Sequence, residues 1–274
     1  MSVKIDPETG ERSVAMETEV PGTPEEVWRA VATGPGITAW FVPTEVAERE
    51  GGAIVFDLGP GMGSSTGVIT GWEPPHRLAY EEREWMPGAP PVATELHVEA
   101  KAGGTCVVRM VHSLFTDKDD WDGQLESFEN GWPPFFHVLA GYLRHFAGQL
   151  CAQVRVAGTV SGAAEDAWSA LAGGLGLPEP REGERLAARA ADAPALAGVV
   201  EWVGDREDQR GVVLRTEEPA PGFALLGAFA WGDAAHASLA LYLYGKAGSA
   251  AARREADTWR AWMGERFPAG STGG

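Results

Sequence analysis

Along the first part of the chain, apolar and polar positions alternate over residues 13–20, the period of a strand with one buried face. The period changes at Thr23-Pro24-Glu25-Glu26. Thr23 suits an N-cap, Pro24 the first helical position, and a Glu three residues past the cap completes a capping box. Val27, Trp28 and Val31 then supply the apolar face of this helix, which ends at Gly34-Pro35-Gly36, and Ile37 to Phe41 begins a second short helix. Strands are expected at 53–58, 67–72, 77–84, 94–100 and 105–113, divided by turns at Gly61-Met62-Gly63, Pro74-Pro75-His76 and Gly103-Gly104. Finally Trp132, Phe135, Phe136, Leu139, Leu143, Phe146 and Leu150 recur at helical spacing. The expected order is a strand, two helices, a meander of five strands and one long helix.

The same plan is written a second time. Residues 19–37 and 159–177 align without gaps at an offset of 140, sharing Val20/Val160, Gly22/Gly162, Glu25/Glu165, Trp28/Trp168, Ala30/Ala170, Ala32/Ala172, Gly34/Gly174 and Gly36/Gly176. With small gaps, Arg49-Glu50-Gly51 matches Arg181-Glu182-Gly183, and Gly67-Val68-Ile69 with Trp72 matches Gly198-Val199-Val200 with Trp202. The second copy predicts a helix from Ala164 to Leu171, strands at 199–203, 212–216, 223–231 and 237–244, and a closing helix over 250–267 with Trp259, Trp262, Met263 and Phe267 near one face. A repeat this long means duplicated domains, not a solenoid. We divide the chain into domains at 1–150 and 151–274, the second shorter and with less room for a cavity.

Charge narrows the partners. The formal net charge is −17. Residues 1–150 hold 10 basic and 23 acidic side chains (net −13), and residues 151–274 hold 12 and 16 (net −4). Nucleic acid is not expected as a partner, since phosphate neutralisation needs clustered Lys and Arg. The acidic runs Glu81-Glu82-Arg83-Glu84 and Asp117-Lys118-Asp119-Asp120 read as solubilising surface. No signal peptide opens the chain, and its most apolar stretch, Gly222 to Trp231, is far too short to span a membrane. Two cysteines, Cys106 and Cys151, give no disulfide framework, so a reducing cytoplasm is expected. Eighteen Arg against four Lys, with abundant Ala and Gly, fits a bacterial high-GC source.

The pieces Pro24-Glu25-Glu26-Val27-Trp28-Arg29-Ala30-Val31, Thr38-Ala39-Trp40-Phe41, Gly67-Val68-Ile69 through Glu73-Pro74-Pro75-His76-Arg77-Leu78-Ala79-Tyr80, Gly104-Thr105-Cys106-Val107-Val108 and Gly131-Trp132 fall in one order over residues 13–148. In that order they resemble the START-like (SRPBCC) superfamily, and more narrowly the family named for the activator of the heat-shock chaperone ATPase, here in tandem. The resemblance implies an α+β fold of two tandem helix-grip domains, each a curved antiparallel sheet around a long C-terminal helix with a hydrophobic cavity between them. It implies a small hydrophobic ligand in the first domain. An aromatase/cyclase-like or hydrolase-like enzyme, or a chaperone-linked interaction module, are the alternatives; the extra N-terminal domain of the chaperone activators is not found. No cofactor is expected, and homodimerisation stays open.

For a cavity of this kind the lining falls to Trp40, Phe41, Phe56, Tyr80, Trp85, Met110, His112, Trp132, Phe136 and Leu139, an aromatic-rich set suited to planar or apolar ligands. His112 is the sharpest polar candidate. It shares a strand face with Cys106, Val108 and Met110, opposite Arg109, so it points inward, either to serve a ligand as donor, acid or base or to be satisfied in the interior. His97, between Glu95 and Glu99, is given no role. The six histidines lack HxxxH or HExxH spacing, so no metal is expected. No nucleophile elbow occurs, Cys106 falls mid-strand, and Cys151 is placed after a helix. Gly59-Pro60-Gly61-Met62-Gly63-Ser64-Ser65 reads as a hairpin loop and candidate lid, not a phosphate cradle.

Overall fold

A computed structural model of the chain describes residues 3–5, 11–59, 63–86, 88–114, 116, 121–206, 208–231 and 234–267, with the backbone alone at Asp122 and Trp231. It divides into two compact units, Met1–Gly148 and Gln149–Gly274.

In the first unit, β1 (Lys4–Ile5) and β2 (Arg12–Pro21) precede α1 (Pro24–Ala32) and α2 (Gly34–Thr38). Then come β3 (Thr44–Val46), β4 (Ala53–Gly59), β5 (Gly63–Glu73), β6 (Arg77–Glu82), β7 (Val92–Lys101) and β8 (Thr105–Leu114), followed by α3 (Asp122–Gly131) and α4 (Pro133–His145). The eight strands form one antiparallel sheet in the order β1-β2-β8-β7-β6-β5-β4-β3. The capping box is formed as the spacing requires: Glu26 N–H donates to Thr23 Oγ1 at 3.3 Å, and Thr23 N–H donates to Glu26 Oε2 at 2.9 Å. One face of α1, including Val27, Trp28 and Val31, is buried.

Three local expectations change. Gly34-Pro35-Gly36 does not merely end α1; it is the first turn of α2, because Thr33 caps the new helix by accepting from Gly36 N–H at 3.1 Å, and proline suits a first turn. The terminal helix expected over 132–150 is α4, and a further helix that the spacing did not predict, α3, precedes it. Pro133 and Pro134 lack N–H groups and so cannot continue the hydrogen-bond ladder of α3, which stops at Gly131 while α4 starts at Pro133, although Trp132 between them keeps helical backbone angles. α4 ends at His145, leaving Leu150 exposed beyond it. Of the expected hairpin loop, Gly63, Ser64 and Ser65 belong to β5, while residues 60–62 lie outside the described residues, as do residues 117–120.

The second unit comprises β9 (Cys151–Val160), α5 (Ala164–Leu175), β10 (Arg185–Ala187), β11 (Ala197–Asp205), β12 (Gln209–Glu218), β13 (Gly222–Trp231), β14 (Ala234–Tyr244) and α6 (Gly245–Arg266). Cys151 therefore opens a strand. Its antiparallel sheet runs β10-β11-β12-β13-β14-β9. In both units the strand before the first helix pairs with the last strand of the meander. The duplication extends to backbone angles: Gly22 and Gly162, 140 residues apart, both adopt φ of 121° immediately before the cap. Ala163 cannot cap through its side chain, yet its N–H still donates to Asp166 Oδ2 at 2.7 Å, as Thr23 does to Glu26. Both units are thus α+β helix grips. The interior of the second is an apolar cluster in which Leu226, Leu239 and Leu241 of the sheet meet Trp168, Trp259 and Trp262.

Candidate functional site

The first unit's sheet places the polar interior. Because side chains alternate, Leu78, Tyr80 and Glu82 of β6 share the inner face with Val92, Thr94 and Leu96 of β7 and Met110, His112 and Leu114 of β8. Register pairs Tyr80 with Thr94 and Thr94 with His112, so three polar groups stand in a row across the sheet.

They are joined to one another. Trp132 Nε1–H donates to His112 Nε2 at 2.8 Å, which makes Nε2 an acceptor and puts the ring proton of a neutral imidazole on Nδ1. Nδ1 lies 2.9 Å from Thr94 Oγ1 and donates to it. Thr94 in turn hydrogen-bonds Tyr80. Burial pushes His112 down to about 3. Burial also raises the Tyr80 phenol, with the Glu82 charge adding to it. Both groups are neutral at physiological pH, and both nitrogens of His112 are occupied. His112 points inward as its strand position requires, but it is satisfied by protein and anchors Trp132 at the head of α4.

Around this row the aromatic rings form a continuous set. Phe41 lies 4.7 Å from Trp132 and 5.0 Å from Phe135, and Trp132 stacks on Phe136 at 5.9 Å. Phe41 also meets Phe56, which meets Tyr80 at 5.7 Å. On the other side Phe128 touches His112 at 5.0 Å and Trp85 at 5.5 Å, and Trp85 reaches Trp121. Six of these side chains, Phe41, Trp85, Trp121, Phe128, Trp132 and Phe135, are only partly buried. Trp40 is wedged beneath them, its indole N–H held by the Ala30 carbonyl at 2.9 Å.

Of the ten residues read from the sequence, ring contacts connect Trp40, Phe41, Phe56, Tyr80, Trp85, His112, Trp132 and Phe136. Met110 and Leu139 are fully buried packing. Thr94, Trp121, Phe128, Phe135, Ser65 and Glu82 were not among the ten. Glu82 stands on the inner face and not in a solvated acidic run, and the same parity that turns His112 inward would have shown it. Burial raises the Glu82 carboxyl, opposed by the Ser65 hydroxyl that donates to it.

Other chemistry finds little support. Burial raises the Cys106 thiol and pushes Cys151 up to about 12, so neither is a thiolate near neutrality. Among the described residues, no three His, Cys, Asp or Glu side chains group as metal ligands. His97 Nε2–H donates to the Glu95 carboxylate at 2.9 Å on the outer face. No described helix is long and apolar enough to cross a membrane.

Residues 21–144 match the family model described as Activator of Hsp90 ATPase homolog 1-like protein, so the family resemblance holds over the first unit. No curated protein matches the chain. Among solved structures, CalU16 from Micromonospora echinospora is 23% identical over 52% of this chain and 80% of its own, with a TM-score of 0.42. The di-domain ARO/CYC BexL from the BE-7585A biosynthetic pathway is 18% identical over 94% of this chain and 99% of its own, TM-score 0.45. The Aha1 dimer from Colwellia psychrerythraea is 19% identical over 50% of this chain and 98% of its own, TM-score 0.41.

Proposed function

We propose that the first unit, within which the family match falls, binds a small, largely planar apolar molecule against the aromatic set built on α2, α3, α4 and the inner face of the sheet. One observation carries this reading: six large aromatic side chains remain partly exposed while touching one another or a shared aromatic neighbour. Scattered surface aromatics need no explanation, but a contiguous apolar patch marks a binding surface. Rings also offer stacking and edge contacts to a planar ligand.

A cyclase-like or hydrolase-like reaction through His112 fits less well. General acid–base work needs a ring nitrogen within reach of substrate and a pKa near the working pH. His112 has both nitrogens engaged and is pushed down to about 3. Its role in this reading is to hold Trp132, and therefore the start of α4, in place for the ligand.

Titration of the purified chain with a neutral polycyclic aromatic, followed by tryptophan emission, tests the proposal. Saturable quenching in the wild type that weakens on Trp132→Leu supports it; absence of saturable binding by any neutral aromatic overturns it. Native mass spectrometry of freshly purified protein would identify a ligand carried through purification.

A further inference from the structure

Glu82 is the one feature of the inner face that apolar binding leaves unexplained. It pairs with Gly67 on β5 and Val92 on β7, and its side chain folds over Gly67. A Cβ at Gly67 would stand 3.0 Å from Ile54 Cγ2, 3.1 Å from Glu82 Cγ and 3.1 Å from Tyr80 Cδ2, so the glycine lets these three side chains converge over its backbone on the inner face. Phe56 and Ser65, paired across β4 and β5, lie on the same face beside them. The only titratable neighbour in this group is Tyr80, itself neutral.

The Glu82 carboxyl has one described hydrogen-bond partner, the Ser65 hydroxyl, which donates to Oε1. Among the described residues no Lys, Arg or His forms an ion pair with it. Glu82 is partly buried, and its Oε2 has no donor among the described residues. A carboxylate withdrawn from water without a cation is unfavourable, and proteins normally pair such a group or leave it protonated. A ligand that brings its own cation would complete the pairing. The surrounding unit adds to this preference, since residues 1–150 carry a net charge of −13.

We infer that the ligand is an apolar aromatic amine, its rings on the Phe41, Phe56 and Trp132 side of the site and its protonated nitrogen donating to Glu82 at the Ser65 end. This inference rests on the proposed function and adds the chemical class of the ligand to it.

Calorimetric titration of the full chain with naphthylmethylamine, naphthylmethanol and naphthoate separates the two statements. A charge-assisted hydrogen bond predicts that the wild type binds the amine roughly tenfold to a hundredfold more tightly than the alcohol. Glu82→Gln, which keeps the shape and can keep the Ser65 contact, should bring amine and alcohol to about equal affinity while alcohol binding persists, which also shows that the variant is folded. An amine preference that survives Glu82→Gln, or a wild type that binds alcohol or naphthoate as tightly as the amine, overturns the inference and leaves apolar binding standing. If none of the three probes binds, the inference falls together with the proposed function.

Discussion

Acidification should destabilise the first unit through His112 before most carboxylates titrate. An ordinary imidazole protonates near 6.5, whereas burial pushes His112 down to about 3. The folded state thus binds the proton later than the unfolded chain does. Stability from the neutral ring is complete above pH 6.5 and is lost as pH falls from there toward 3. At roughly 1.36 kcal/mol per pH unit, the loss reaches about 2 kcal/mol at pH 5 and about 5 kcal/mol once protonation is complete. The geometry gives the cause: protonation would put a proton on Nε2, which accepts from Trp132, so two donors would face each other at 2.8 Å.

His112→Gln isolates this effect. Its amide oxygen can accept from Trp132 and its NH₂ can donate to Thr94, but it does not titrate. Glu82 acts with the opposite sign, since its raised carboxyl favours the fold as pH falls, but it is present in both chains and cancels in their difference. Amide exchange read by mass spectrometry on peptides from β8 reports the first unit's opening free energy within the full chain. We expect the variant to be about 1–2 kcal/mol less stable than the wild type at pH 8, from lost ring packing. The gap should close by about 2 kcal/mol at pH 5. Two stability curves that run parallel from pH 8 to pH 5 would refute the reasoning.

Thr94→Val should destabilise the first unit by about 1–3 kcal/mol, since His112 Nδ1–H is then buried without an acceptor. Combined with His112→Leu, the loss should fall short of the sum of the single changes, checked as a double-mutant cycle in urea. Gly22→Ala and Gly162→Ala should each cost about 1–3 kcal/mol, because both glycines hold φ of 121° and an added Cβ would meet Glu26 or Asp166. Amide exchange should show the first change loosening the start of α1 and the second that of α5. Gly67→Ala should weaken naphthylmethanol binding several-fold by calorimetry, its methyl pressing on Ile54, Glu82 and Tyr80 at 3.0–3.1 Å.

What could be read from the chain was whatever depends on local period. The repeat, the capping box at Thr23 and the five long strands of the first unit follow from residues adjacent in sequence, and they stand within a few residues of their expected bounds. Helix boundaries set by competing signals were harder. Gly34-Pro35-Gly36 carries both a stop and a start, and only the Thr33 hydroxyl accepting from Gly36 decides between them. The terminal helix starts at Pro133 as its spacing suggests but stops at His145, short of the Phe146 and Leu150 that continue the same spacing. Phe128 and Trp121 join the site from a segment whose helix the pattern did not reveal.

Glu82 makes the deepest contrast. Counted with its neighbours Glu81, Arg83 and Glu84, it is one of a polar run; counted by strand parity with Leu78 and Tyr80, it faces inward. Composition averages over both faces of a strand, while the pleat separates them, so a charged residue at the end of an apolar alternation is better assigned by parity than by its immediate neighbours. The same rule places Thr94 opposite Tyr80 and His112, and with it the hydrogen-bonded row, once register is known. Register is what a single strand cannot supply, because it is decided by turns and by packing across the sheet. The inward direction of each polar group was therefore within reach of the sequence, whereas their union into one row, and the occupation of both nitrogens of His112, required the fold.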